Sequence, residues 1–91
     1  MTETVTYNAT AHRYEMDVEG NTVFADVRRE GEILHINYVE APPALRGTGA
    51  AGRFMQGLMD IVKNENLKVI PRCGYAAAWI DRHADYKTYV A

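Results

Sequence analysis

The segment Leu45-Arg46-Gly47-Thr48-Gly49-Ala50-Ala51 places two glycines and a cation where an extended pattern gives way to a helical one. Glycine lets the backbone turn tightly and approach a ligand closely. The first turn of the following helix leaves amide N–H groups unpaired, and the helix dipole puts positive partial charge at the same place. A phosphate or pyrophosphate satisfies both. The Arg46 side chain either assists or packs elsewhere. The competing reading is a tight strand-to-helix connection whose small residues serve close packing. Two other phosphate patterns are excluded. No Lys-Ser/Thr follows the second glycine, so this is not a Walker loop. The strand ahead of it belongs to a meander and not to a βαβ unit, so it is not a dinucleotide fingerprint.

Cys73 is the one cysteine in the chain. It reads either as a nucleophile or as a buried core residue. His12, His35 and His83 lack metal-ligand spacing to one another or to Cys73, so no zinc site is expected. His35 falls on the strand face opposite Leu34 and Ile36 and is expected to be exposed or loosely packed. His83 reads as a general base or as a cation at a helix C-terminus. Glu40, just ahead of the glycine segment, reads as a general base or as an exposed carboxylate. Met16, Met55 and Met59 are assigned to the core.

These groups need a frame. Residues 1–12 show no clear period and are expected to be loosely attached. From Arg13 the pattern alternates, with Tyr14, Met16 and Val18 on one face of a strand. Gly20-Asn21 predicts a tight turn. Val23, Ala25 and Val27 mark a second strand, and Arg29 to Glu32 a second turn. Leu34, Ile36 and Tyr38 mark a third strand, ended by Ala41-Pro42-Pro43. Then the period changes. Ala51, Phe54, Met55, Leu58, Met59 and Val62 form the apolar stripe of a helix that Asn64-Glu65-Asn66 closes. Leu67 to Ile70 predicts a short buried strand, Tyr75 to His83 a second helix, and Asp85 to Val90 a last helical turn. The expected class is α+β: a three-stranded antiparallel meander followed by helix, strand and helix.

The length of 91 residues fits one domain, 1–91. A net charge of -2, from 10 basic and 12 acidic residues, argues against nucleic acid as the main partner. One cysteine allows no internal disulfide, which fits a reducing compartment. There is no signal-peptide pattern and no apolar run of the ~20 residues that a membrane span needs. The expected location is the cytoplasm.

Arg46-Gly47-Thr48-Gly49-Ala50-Ala51 matches the R/Q-x-x-G-x-G/A signature of the GNAT superfamily of N-acetyltransferases. From Arg13 to the C-terminus the chain resembles the small GNAT-like family of about one hundred residues. The resemblance is carried by three motifs in order: Ala41-Pro42-Pro43-Ala44-Leu45-Arg46-Gly47-Thr48-Gly49, Lys68-Val69-Ile70-Pro71-Arg72-Cys73-Gly74-Tyr75, and Arg82-His83-Ala84-Asp85-Tyr86. It implies a truncated GNAT fold that binds acetyl-CoA as cosubstrate, with the pyrophosphate on the amides of Gly47, Thr48, Gly49, Ala50 and Ala51. It implies that the backbone of Val39, Glu40 and Ala41 pairs with the pantetheine arm and that Cys73 lies near the thioester.

Two departures bear on mechanism. Many members carry His-Thr where this chain has Tyr38-Val39, and the family's His-Pro is His83-Ala84 here. A tyrosine with an ordinary pKa near ~10 is a poor base but a competent hydrogen-bond donor, which makes Tyr38 a catalytic candidate beside Cys73. The implied activity is transfer of an acetyl group from acetyl-CoA to an unidentified amine, by direct attack or through acetyl-Cys73. The alternative is a CoA-binding module with little or no catalysis, which the missing histidine and the short chain favour. The oligomeric state is left open.

Overall fold

The computed structural model describes residues 3–91. Five strands lie side by side in chain order: β1 (Thr6–Asn8), β2 (Arg13–Val18), β3 (Asn21–Glu30), β4 (Ile33–Glu40) and β5 (Lys68–Pro71). The first four are antiparallel and β5 runs parallel to β4. A parallel neighbour needs a crossover, and helix α1 (Ala50–Asn64) makes it. Helix α2 (Gly74–Asp81) and a 3₁₀ segment (Ala84–Tyr89) follow. The α+β class matches expectation, with β1 added to the meander.

The hairpins are set by backbone chirality. Val18 pairs with Asn21, so the first loop is Glu19-Gly20, and both residues have positive φ (51° and 82°). The turn was expected one residue later, at Gly20-Asn21. A two-residue loop with two positive φ values twists as the flanking strands do, and that places Asn21 in β3. The second loop, Gly31-Glu32, has its positive φ at Gly31.

One face of the sheet is apolar. Tyr14, Met16, Val18, Val23, Ala25, Val27, Leu34, Ile36 and Val69 share it by register and are buried. Phe54, Met55, Leu58, Met59 and Val62 of α1 and Ala76, Trp79 and Ile80 of α2 close over it in one cluster. The three assigned methionines are part of this core. At the start of the α1 stripe, Ala50 is buried and Ala51 is half-exposed, one residue out of step with the expected pattern.

The first dozen residues depart from expectation. Met1 and Thr2 lie outside the described residues, but β1 pairs with β2 and Val5 packs on the core. An added Cβ on Gly57 would fall 2.6 Å from a Val5 methyl, so the glycine makes room for this segment to cross α1. Glu3 grips Arg53 with both carboxylate oxygens, at 2.6 and 3.1 Å. The segment carries no period because β1 is only three residues long.

Phe54 is fully buried. Phe54→Ala is expected to lower unfolding free energy by ~3–5 kcal/mol, read as a fall in urea midpoint at unchanged slope.

Candidate active site

β4 and β5 stay together only as far as Ile36. The Ile36 carbonyl accepts from two amides, Arg72 at 2.9 Å and Cys73 at 3.2 Å. Beyond it β5 ends and the chain turns into α2. From Asn37 to Glu40 the edge of β4 that β5 would cover has no strand beside it among the described residues. The gap is a cleft of about 260 Å³ lined by Tyr38, Val39, Glu40, Ala41, Arg46, Ala51 and Tyr75.

A bulge sets which side chains face this cleft. β3–β4 pairing shifts between Asp26 and Val27: Ile36 pairs with Val27, Tyr38 with Asp26, and Asn37 is the extra residue. A single extra residue reverses the alternation beyond it. Tyr38 was expected to share a face with Leu34 and Ile36. It lies instead on the outer face, 48% exposed, with its ring 6.5 Å from that of Phe24. Val39 turns inward and packs against the core. The Tyr38 hydroxyl donates to Glu40 Oε1 at 2.8 Å. That bond, chiefly, and the carboxylate's charge push the Tyr38 pKa above its usual value, so the hydroxyl keeps its proton and acts as a donor. Glu40 is the one carboxylate that lines the cleft among the described residues.

The glycine segment meets the cleft at its two ends, Arg46 and Ala51. Pro43–Leu45 make a 3₁₀ turn, and Gly47 and Gly49 take φ of 80° and 83°, which glycine adopts without steric cost. The amides divide into two sets. Arg46 N–H bonds to Pro43 O, Thr48 N–H to Leu45 O, and Ala50 N–H to the Thr48 hydroxyl. The amides of Gly47, Gly49, Ala51 and Gly52 have no acceptor among the described residues, and no side chain caps Ala51 or Gly52 at the helix start. An anion with several acceptor oxygens fits such a set. Of the seven cleft residues, Arg46 supplies a cation, and Arg53, beside Gly49, is bonded to Thr48 O and to Glu3.

Cys73 is half-buried at the N-cap of α2. It lies near Tyr38 and Tyr75, whose pKa values are raised chiefly by the Glu40 hydrogen bond for Tyr38 and by burial for Tyr75. The three histidines stay apart. His35 is 8% exposed, and not loosely packed as expected. Arg72 Nε donates to its Nδ1 at 3.1 Å, so its proton sits on Nε2 and is given to Glu30 at 2.6 Å. No apolar pattern signals this burial, because polar partners cover the ring. His83 lies away from the cleft, with Nδ1 donating to the Trp79 carbonyl near the end of α2 at 2.6 Å. This is its helix-terminal role; the base role has no geometry in the cleft. Among the described residues no three His, Cys, Asp or Glu side chains gather as a metal site requires, and no helix is long and apolar enough to cross a membrane.

A family model described as GCN5-related N-acetyl-transferase matches residues 13–89. Among curated proteins, none matches the chain.

The Tyr38–Glu40 bond predicts a titration. In Glu40→Gln the acceptor charge is lost, and the Tyr38 hydroxyl is expected to ionise nearer the ordinary value of about 10. Tyrosinate absorbance, with Tyr38→Phe to assign the step, checks it. An unchanged Tyr38 titration contradicts the bond.

Proposed function

We propose, from the premise that the chain belongs to the GCN5-related N-acetyl-transferase family, that its acetyl donor is acetyl-CoA and its acceptor an amine. One observation carries the reading: the cleft between the parted strands opens directly beside an uncapped helix N-terminus. The unpaired β4 edge at Val39, with the backbone that follows it at Ala41, suits the amide-bearing pantetheine arm. The free amides of Gly47, Gly49 and Ala51 suit the pyrophosphate. Thr48 and Ala50 serve the turn itself, since their amides are already engaged. Arg46 adds a cation at the rim.

The chemistry needs a base for the amine and a proton for the departing sulfur. Glu40 is placed in this reading as the base, directly or through a water. The Tyr38 hydroxyl, already donating to Glu40, gives its proton to the thiolate and recovers one from the carboxyl. The histidine common at this position in the family is thereby replaced by a tyrosine–carboxylate pair. Cys73 contributes bulk and polarity beside the thioester and forms no acyl bond, because neither His35 nor His83 is directed at it.

Titration of CoA followed by amide shifts is expected to move Gly47, Gly49 and Ala51 most. No movement at millimolar CoA would sink the reading. In an acceptor screen, Glu40→Gln and Tyr38→Phe are expected to lower kcat by about 10²-fold or more at nearly unchanged CoA affinity. Full activity in both would remove the proposed pair, and absence of turnover with every amine in wild type would leave a CoA-binding module. Incubation with acetyl-CoA and no acceptor is expected to leave Cys73 unmodified by intact mass. An acetyl adduct there contradicts direct attack.

A further inference from the structure

A second groove, of about 400 Å³, lies between the first turn of α1 and α2, lined by Gly49, Gly52, Arg53, Gln56, Trp79 and His83. Among the described residues no carboxylate lines it. Trp79 is only 4% exposed, yet its indole Nε1–H has no acceptor among the described residues. No side-chain nitrogen among them is both fully buried and unpartnered, so this N–H opens on the groove. A Cβ added to Gly52 would lie 3.9 Å from Nε1, which puts the indole N–H beside the uncapped first turn of α1. The ring is held in place by stacking on His83, with centroids 3.7 Å apart and planes at 11°. The Trp79 carbonyl can only accept, so His83 Nδ1 carries the hydrogen of their 2.6 Å bond, and Nε2 is the ring nitrogen left free. Gln56 is already engaged by Asp60 and Tyr86.

An indole N–H and the Gly52 amide at a positive helix end thus face one space, edged by the Arg53 guanidinium, which Glu3 engages from outside it. The ring is nearly all buried while its N–H faces the groove without a protein acceptor, and tryptophan in a core normally pairs that atom. The ligand that matches is a compact anion with several acceptor oxygens.

The groove continues the cleft. Ala51 lines the cleft and Gly52 the groove; on α2, Tyr75 lines the cleft and Trp79, one turn on, the groove. Gly49 joins the two through the glycine turn. We propose that the groove binds the 3′-phosphate of the CoA nucleotide, held by Trp79 Nε1–H and the Gly52 amide, so that the protein selects CoA over dephospho-CoA. This rests on the reading that CoA occupies the cleft.

Calorimetric titration of the full chain with CoA and with dephospho-CoA, at one salt concentration, tests it. Wild type is expected to bind CoA about tenfold or more tightly, the value of one charge-assisted hydrogen bond. Trp79→Phe keeps the ring and removes the N–H. Gly52→Ala, favourable to the helix, sets a methyl against Nε1. Each is expected to bring the CoA affinity down to that of dephospho-CoA while leaving the latter nearly unchanged. Equal affinities in wild type overturn the inference and leave CoA binding in the cleft standing. A preference that survives in either correctly folded variant also overturns it. Failure of wild type to bind either ligand overturns both this inference and the reading of the cleft.

Discussion

Two amides, Arg72 and Cys73, converge on the carbonyl of Ile36. This is where β4 loses its partner, and the candidate site depends on it. A strand edge stripped of its neighbour exposes unpaired amides and carbonyls, which proteins usually cover or keep short. Here the exposed stretch is short, Asn37 to Glu40, and it is flanked by Arg46 and Ala51 at the ends of the glycine turn and by Tyr75 of α2. Pro71 helps end the ladder, since it has no N–H to continue it. The next two amides then fold back onto the same carbonyl. The parting of the strands follows from the chain's own covalent and hydrogen-bonding limits.

The bulge at Asn37 acts on the same few residues. It turns Tyr38 and Glu40 to the outer face and Val39 to the core. The core is thereby completed by a valine, and the two polar groups are left side by side at the cleft. A carboxylate beside a phenol divides the roles without ambiguity. The phenol holds its proton more tightly and the carboxylate accepts.

The helix start carries the complementary electrostatics. Ordinarily a Ser, Thr, Asp or Asn at the N-cap would satisfy the second or third amide. In this chain Gly49 occupies the N-cap in a left-handed conformation and offers no side chain. Thr48 is drawn into the turn, where its hydroxyl donates to Leu45 O and accepts from Ala50. The amides of Ala51 and Gly52 stay open. Small residues at 47, 49, 51 and 52 keep that surface accessible, and the α1–α2 seam runs away from it past Trp79.

What the sequence determined by itself is whatever a local period or a local backbone requirement encodes. Alternation placed β2, β3 and β4, a short buried run ahead of Pro71 placed β5, the helical stripe placed α1, and Gly47 and Gly49 marked a turn only glycine makes easily. The motif order carried the family. What depended on non-local pairing was decided only by the tertiary structure. The Asn37 bulge reverses the face of Tyr38 with no change in composition, because it is a mismatch between two strands and not a property of either. β1 is too short to show a period and is held by β2, Gly57 and Arg53, all distant in sequence. His35 is buried by Glu30 and Arg72, and the latter follows directly on β5, which only the crossover brings alongside. The unpartnered indole of Trp79 has meaning only because α2 lies against the first turn of α1, a contact that neither helix's own pattern specifies.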